Sequence, residues 1–99
     1  MDSLLFGIDF DDTITAAPEL FAAFIRDLHR QGHRAICVTA RRDTDENREE
    51  IGDYFERHSI PEIPIVFCNL CSKVDTMTKR GTKAHIWIDD APHALVYGH

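Results

Sequence analysis

Four short apolar runs punctuate this chain, at residues 4–10, 35–38, 63–68 and 84–88, and each is followed by a polar turn and a segment of helical period. That alternation constrains the fold more than any other feature. Runs of this length suit buried strands, and strands alternating with helices imply a parallel sheet covered on both faces. Helices are expected over 18–31, 44–58 and 73–80, with a last short one over 94–97. The fold class that follows is α/β: a Rossmann-like, three-layer arrangement of about four parallel strands joined by right-handed crossovers. The 99 residues suit one domain, 1–99, and contain no linker, repeat or low-complexity segment.

Local signals fix the elements. Pro18 stands at a first helical position, where its missing N–H costs nothing. Leu20, Phe21, Phe24, Ile25 and Leu28 recur at helical spacing, and Gly32 ends that helix. Asp43 with Glu46 three residues on resembles a capping box for the second helix. That helix should bury Ile51, Tyr54 and Phe55. Its other side, with Asp45, Glu46, Glu49, Glu50, Asp53 and Glu56, reads as a solvated face. Pro64 suits an edge strand. Ser72, with Asp75 three residues on, caps the third helix, and Gly81 stops it.

In a parallel sheet the C-terminal ends of all strands share one edge, where ligands of open α/β sheets bind. Here those ends carry Asp9 and Asp11, then Thr39, then Asn69 with Ser72 and Lys73 close behind, then Asp89 and Asp90. In a regular strand Asp9 and Asp11 point the same way, into one crevice. Two such carboxylates repel unless they share a proton or a cation. Mg2+ is a hard cation commonly held by one or two carboxylates. A hydroxyl and an ammonium beside them complete an inventory for a cation and a phosphate. Lys73 begins its helix at this edge, whereas Lys79 and Lys83 flank the helix end and belong to the opposite one. A helix N-terminus also favours anions.

Composition narrows the function classes. Apolar content of 43% and charged content of 28% are those of an ordinary globular chain. The net charge of −6 gives no support to a general binder of nucleic acid or membrane surfaces, although it leaves room for a local basic patch. No apolar run approaches the ~20 residues of a membrane span. No basic leader precedes the first strand, so no signal peptide is expected. Cys37, Cys68 and Cys71 are too few for a disulfide framework, which suits a cytoplasmic protein. Cys68-x-x-Cys71 has zinc or thiol-exchange spacing, but no second pair completes a set and His93 is an unsupported further partner. His29, His33, His58 and His85 read as helix-end, surface or packing residues, and His99 as a terminal one.

At this point the motifs resemble those of a known family. Asp9-Phe10-Asp11-Asp12-Thr13 is similar to the DxDx[TV] motif of the haloacid dehalogenase (HAD) superfamily. Thr39 after an apolar strand, Lys73, and Ile88-Asp89-Asp90 resemble its second, third and fourth motifs. The resemblance spans residues 4–95 in the right order, and it is to the minimal, capless phosphatase form. It implies a Mg2+-dependent phosphomonoester hydrolase. Asp9 would be the nucleophile that forms an aspartyl-phosphate, and Asp11 the general acid and base. Thr39 and Lys73 would hold the phosphoryl group. Mg2+ would be held by the Asp9 carboxylate, the Asp11 backbone carbonyl and Asp90. Asp89 would then support Lys73 or a metal-bound water, although the two aspartates could exchange roles.

Thr39-Ala40-Arg41 also looks like the equivalent stretch of polynucleotide-kinase-type phosphatase domains, where an arginine helps hold phosphate. That resemblance implies nucleotide or nucleic-acid phosphate substrates, with Arg41 as a substrate contact. Both usual cap insertion points hold short connections, so the site should be open. It would then take a large substrate or be covered by another subunit, as in a homo-oligomer. The alternative from another class is a non-catalytic phospholigand-binding or regulatory module on the same fold.

Overall fold

The computed structural model describes residues 2–98, without the side chain of Ala94. Four strands, β1 (Leu5–Ile8), β2 (Arg34–Thr39), β3 (Ile65–Phe67) and β4 (Ile86–Ile88), alternate with four helices. The helices are α1 (Pro18–Arg30), α2 (Asp45–Arg57), α3 (Lys73–Lys79) and α4 (His93–Val96), and a 3-10 turn at Ile14–Ala16 precedes α1. The sheet is parallel throughout and ordered β3-β2-β1-β4. The expected α/β alternation and parallel sheet are therefore present. β1 is central, and β3, with Pro64 just before it, lies on an edge. Among the described residues no helix is long and apolar enough to cross a membrane.

The pleat of β1 and β2 divides the core in two. Ile8, Ala35 and Cys37 point to one face, where they pack with Ala22, Ile25 and Leu28 of α1 and with Ile51 and Phe55 of α2. Leu5, Ile36 and Val38 point to the other, where Met77 of α3 and Trp87 close over them. Ile25 is fully buried, so truncation to Ala should cost about 2–5 kcal/mol. Gly7 is required by this packing, because a Cβ there would lie 2.9 Å from the Trp87 ring. Gly52, midway along α2, is the opposite case. A Cβ there would meet nothing within 4 Å, yet glycine in a helix interior costs about 0.5–1 kcal/mol relative to Ala.

Four expectations are corrected. β1 ends at Ile8 rather than at residue 10, because the chain turns at once: Ile14 N–H donates to Asp9 O at 3.3 Å and Thr15 N–H to Phe10 O at 3.1 Å. β3 begins at Ile65 rather than residue 63. Pro64 has no N–H to donate, though its carbonyl accepts from Cys37 N–H at 2.8 Å. β4 begins at Ile86 rather than residue 84. Asp43 does not cap α2. Thr44 does, accepting from Asn47 N–H at 3.1 Å, and Asp43 instead pairs with Arg48.

Two histidines brace the base of β1. Leu4 N–H donates to His33 Nδ1 at 3.1 Å and Leu5 N–H to His85 Nδ1 at 2.9 Å. Each sits just before a strand that flanks β1, so the neighbours of β1 supply acceptors to backbone groups that the ladder does not reach. The reading of His99 lies outside the described residues.

Candidate functional site

The site starts where β1 stops. Asp9 N–H donates to Ile88 O at 2.9 Å, which carries the β1–β4 ladder one residue further. The chain then coils tightly, with Asp12 at φ 62° and its N–H donating to Thr15 Oγ1 at 2.9 Å. This turn folds Thr13 inward. Its hydroxyl donates to Asp9 Oδ2 at 3.0 Å, lies 3.4 Å from Asp90 Oδ1, and accepts from Asp90 N–H at 3.2 Å. One hydroxyl thus holds a β1 carboxylate against the end of β4.

From the other side comes Lys73, the first residue of α3 and only 1% exposed. Its ammonium donates to Asp9 Oδ1 at 2.7 Å and to Asp89 Oδ2 at 2.5 Å. The other Asp89 oxygen accepts from Ala91 N–H at 2.9 Å. The loop that delivers Lys73 is stitched to the loop after β2: Asn69 N–H donates to Arg41 O at 3.1 Å and Leu70 N–H to Ala40 O at 2.8 Å. Asn69 and Leu70 are both left-handed, at φ 52° and 66°. Leucine pays roughly 1–2 kcal/mol for that conformation. Ser72 caps α3 by accepting from Asp75 N–H, and its hydroxyl donates to Leu95 O at 2.8 Å, which anchors α4 to the same loop. Lys79 and Lys83 are exposed and outside the cleft.

Arg41 occupies the third side. It donates from Nε to Asp11 Oδ2 at 2.9 Å and from Nη2 to Asp11 Oδ1 at 2.8 Å. Nη1 reaches Asn47 Oδ1 at 3.1 Å and also bonds Glu50. The guanidinium lies over the Phe10 ring, 5.3 Å from its centroid. Arg41 is therefore held by protein acceptors on several sides.

The cleft enclosed by these groups has a volume of about 220 Å³ and is lined by aspartates 9, 11, 12, 89 and 90 with Lys73, Ala40 and Ala91. Thr39 is not in its wall. It is fully buried, and its hydroxyl oxygen accepts from Arg41 N–H at 3.3 Å. Asp9 and Asp11 do share the cleft, though by a turn and not by strand alternation, since both lie beyond the end of β1. Burial, together with Asp90 and Asp89, outweighs the help of Lys73 and pushes the Asp9 carboxyl up to about 6. Burial also opposes the Lys73 charge, but the bonds to Asp89 and Asp9 outweigh it and hold the ammonium above its usual range.

Asp9, Asp89 and Asp90 each offer an oxygen, all within 4.8 Å of one another, and no other group of three such residues exists among the described ones. Asp11 does not join that group. Hard carboxylate oxygens that close together are the donor type a divalent metal ion takes, and the excess of carboxylates over cations in the cleft favours such an ion. The cysteines are not part of this chemistry. Cys68 is buried and its thiol is pushed up by that burial, whereas Cys71 is exposed.

Sequence reasoning matched Thr13 to a motif but gave it no role. Its position four residues after Asp9, in the first polar turn, was the available signal. Comparison with family models, with curated proteins and with solved structures finds no match to this chain.

Proposed function

We propose that the chain is a Mg2+-dependent phosphomonoester hydrolase of the HAD type, with a Rossmann-like core and no cap. The observation that carries the reading is the buried Lys73 ammonium shared by Asp9 and Asp89 at the end of the central strand. A lysine there is suited to hold a phosphoryl oxygen beside a carboxylate nucleophile. A carboxylate oxygen of Asp9 attacks phosphorus and the ester P–O bond breaks. Asp11, carrying a proton, gives it to the leaving oxygen. Asp11, now a carboxylate, then takes a proton from the water that attacks the aspartyl-phosphate, and Asp9 is released. Thr13 and Lys73 orient Asp9 for the attack. Bound Mg2+, held by Asp9 and Asp90, supplies charge neutralisation at the phosphoryl oxygens. Asp89, already committed to Lys73 and Ala91 N–H, acts as the positioning partner.

This reading requires Asp11 to leave Arg41. A substrate phosphate is the natural competitor for the guanidinium, which binds both anions bidentately. The short connections around the cleft leave it open, so a nucleotide or nucleic-acid phosphate suits it better than a small metabolite, unless a second subunit covers the mouth.

The test is phosphate release across a panel of phosphomonoesters, with Mg2+ and with EDTA, by the native chain and by Asp9→Asn. Turnover should need Mg2+ and vanish in the variant. Undiminished turnover after chelation, or an active Asp9→Asn protein, would sink the mechanism. The Asp11–Arg41 pair favours one other reading, a phospholigand-binding module. Tight binding of phosphorylated ligands without any turnover would select it.

A further inference from the structure

A concavity larger than the aspartate cleft lies elsewhere on the chain. A groove of about 600 Å³ runs between α2 and the outer side of β3, the edge of the sheet farthest from β4. Its floor is apolar and built from Phe55, Ile60 and Ile63, with half-buried Ile65 beside them. Its rim is acidic: Glu49, Asp53 and Glu56 on α2 face Glu62 across the floor. All four rim residues are exposed, and none forms an ion pair among the described residues.

Two features of α2 converge on this groove, and neither helps the helix itself. Glu49, Asp53 and Glu56 are spaced four and three residues apart, so like charges are stacked on one helical face, which disfavours a helix. Gly52 lies on the same face and forms part of the groove wall. A side chain at 52 would meet no other part of the chain, so internal packing gives no reason for a glycine in mid-helix. A backbone left bare in the wall of an apolar groove suits close approach by another molecule.

We propose that this groove docks a basic segment of a partner protein, in which an apolar anchor side chain flanked by lysine or arginine enters over Gly52. The apolar floor receives the anchor, and the unpaired carboxylates on both rims meet the flanking cations. Affinity here needs both parts, because rim charges mainly steer and select whereas a desolvated anchor holds. The site is separate from the aspartate cleft and independent of the function proposed for it.

The experiment uses the full chain and fluorescent short peptides, one alternating lysine and leucine, one lysine and serine, and one glutamate and leucine. The lysine–leucine peptide should bind and the other two should not. Gly52→Leu should weaken that binding by about tenfold or more while leaving the thermal midpoint unchanged or raised. Glu49→Gln with Asp53→Asn should weaken it too, in a salt-sensitive way. The proposal is overturned if the lysine–leucine peptide does not bind, if the lysine–serine peptide binds equally well, or if Gly52→Leu binds like the native chain. Concentration-dependent self-association that Gly52→Leu abolishes would overturn it in favour of a second copy of this chain.

Discussion

The mouth of the sheet contains two carboxylate–cation pairings that look alike on paper and differ in environment. Lys73 with Asp9 and Asp89 is sealed, with side chains 2%, 8% and 2% exposed. Arg41 with Asp11 is open, at 23% and 48%. Water reaches both partners of the second pair freely, whereas those of the first are almost wholly buried. A buried charge that loses its partner stays buried, and breaking such a pair costs about 3–5 kcal/mol, whereas exposed pairs are worth about 0–1 kcal/mol. The sealed centre is thus a fixed frame, and the open pair is a contact that a competing anion can take over.

The sharpest way to break the comparison is Lys73→Met. It should destabilise the fold by about 3–5 kcal/mol in urea denaturation and abolish phosphate release. Lys79→Ala and Lys83→Ala, on exposed sites, should stay within about 0.5 kcal/mol of the native chain. A silent Lys73→Met would show that the sealed centre is not a frame. Next, Asp11→Asn should keep cation binding yet lower turnover by about 10²–10⁴-fold, measured in the same phosphate-release assay.

Cation affinity gives a third, pH-dependent outcome. With the Asp9 carboxyl pushed up to about 6, a cation must displace a proton below that pH. Affinity should therefore be full above about pH 6 and fall toward about tenfold per unit below it. Calorimetric titration with Mg2+ on either side of that value checks this, and a flat profile would contradict it. The smallest effect is expected at the open pair. Arg41→Ala should change stability by no more than about 1 kcal/mol, and the coupling it does show should shrink at high salt. Under the proposed function it should nevertheless raise the Michaelis constant for a phosphomonoester, because that reading makes the guanidinium a substrate contact. A stability loss as large as that of Lys73→Met would erase the distinction.

Element type and order were legible in the sequence, because apolar runs and helical periods are local properties. Even the edge position of β3 could be read from Pro64. What was not legible depended on contacts across the chain. Asp9 and Asp11 share a cleft because residues 10–15 coil back on themselves, which strand alternation does not describe. Thr39 was placed at the mouth by its position at the end of its strand, yet its hydroxyl turns to the backbone N–H of Arg41 two residues on. Arg41 was read as a substrate contact, but Asp11, Asn47 and Glu50 come from two other segments of the chain and converge on it. The role of Thr13 needed Asp90, 77 residues away, to become visible.

The strand order has a consequence for the time course of folding. β1 is the centre of the sheet, but its partners arrive at very different times. β2 follows within one helical hairpin's length of chain, whereas the bond from Leu5 N–H to His85 closes a separation of 80 residues. Loop closure grows costlier with length, and distant pairings form late. The β3-β2-β1 portion can assemble while Asp9 still faces water on one side. Only the arrival of β4 brings Asp89 and Asp90 against Lys73 and Thr13. Amide exchange should accordingly be slowest in β2 and the β1 groups bonded to it, and faster at Asp9, whose N–H is bonded to β4, so that the cleft is completed only when β4 docks.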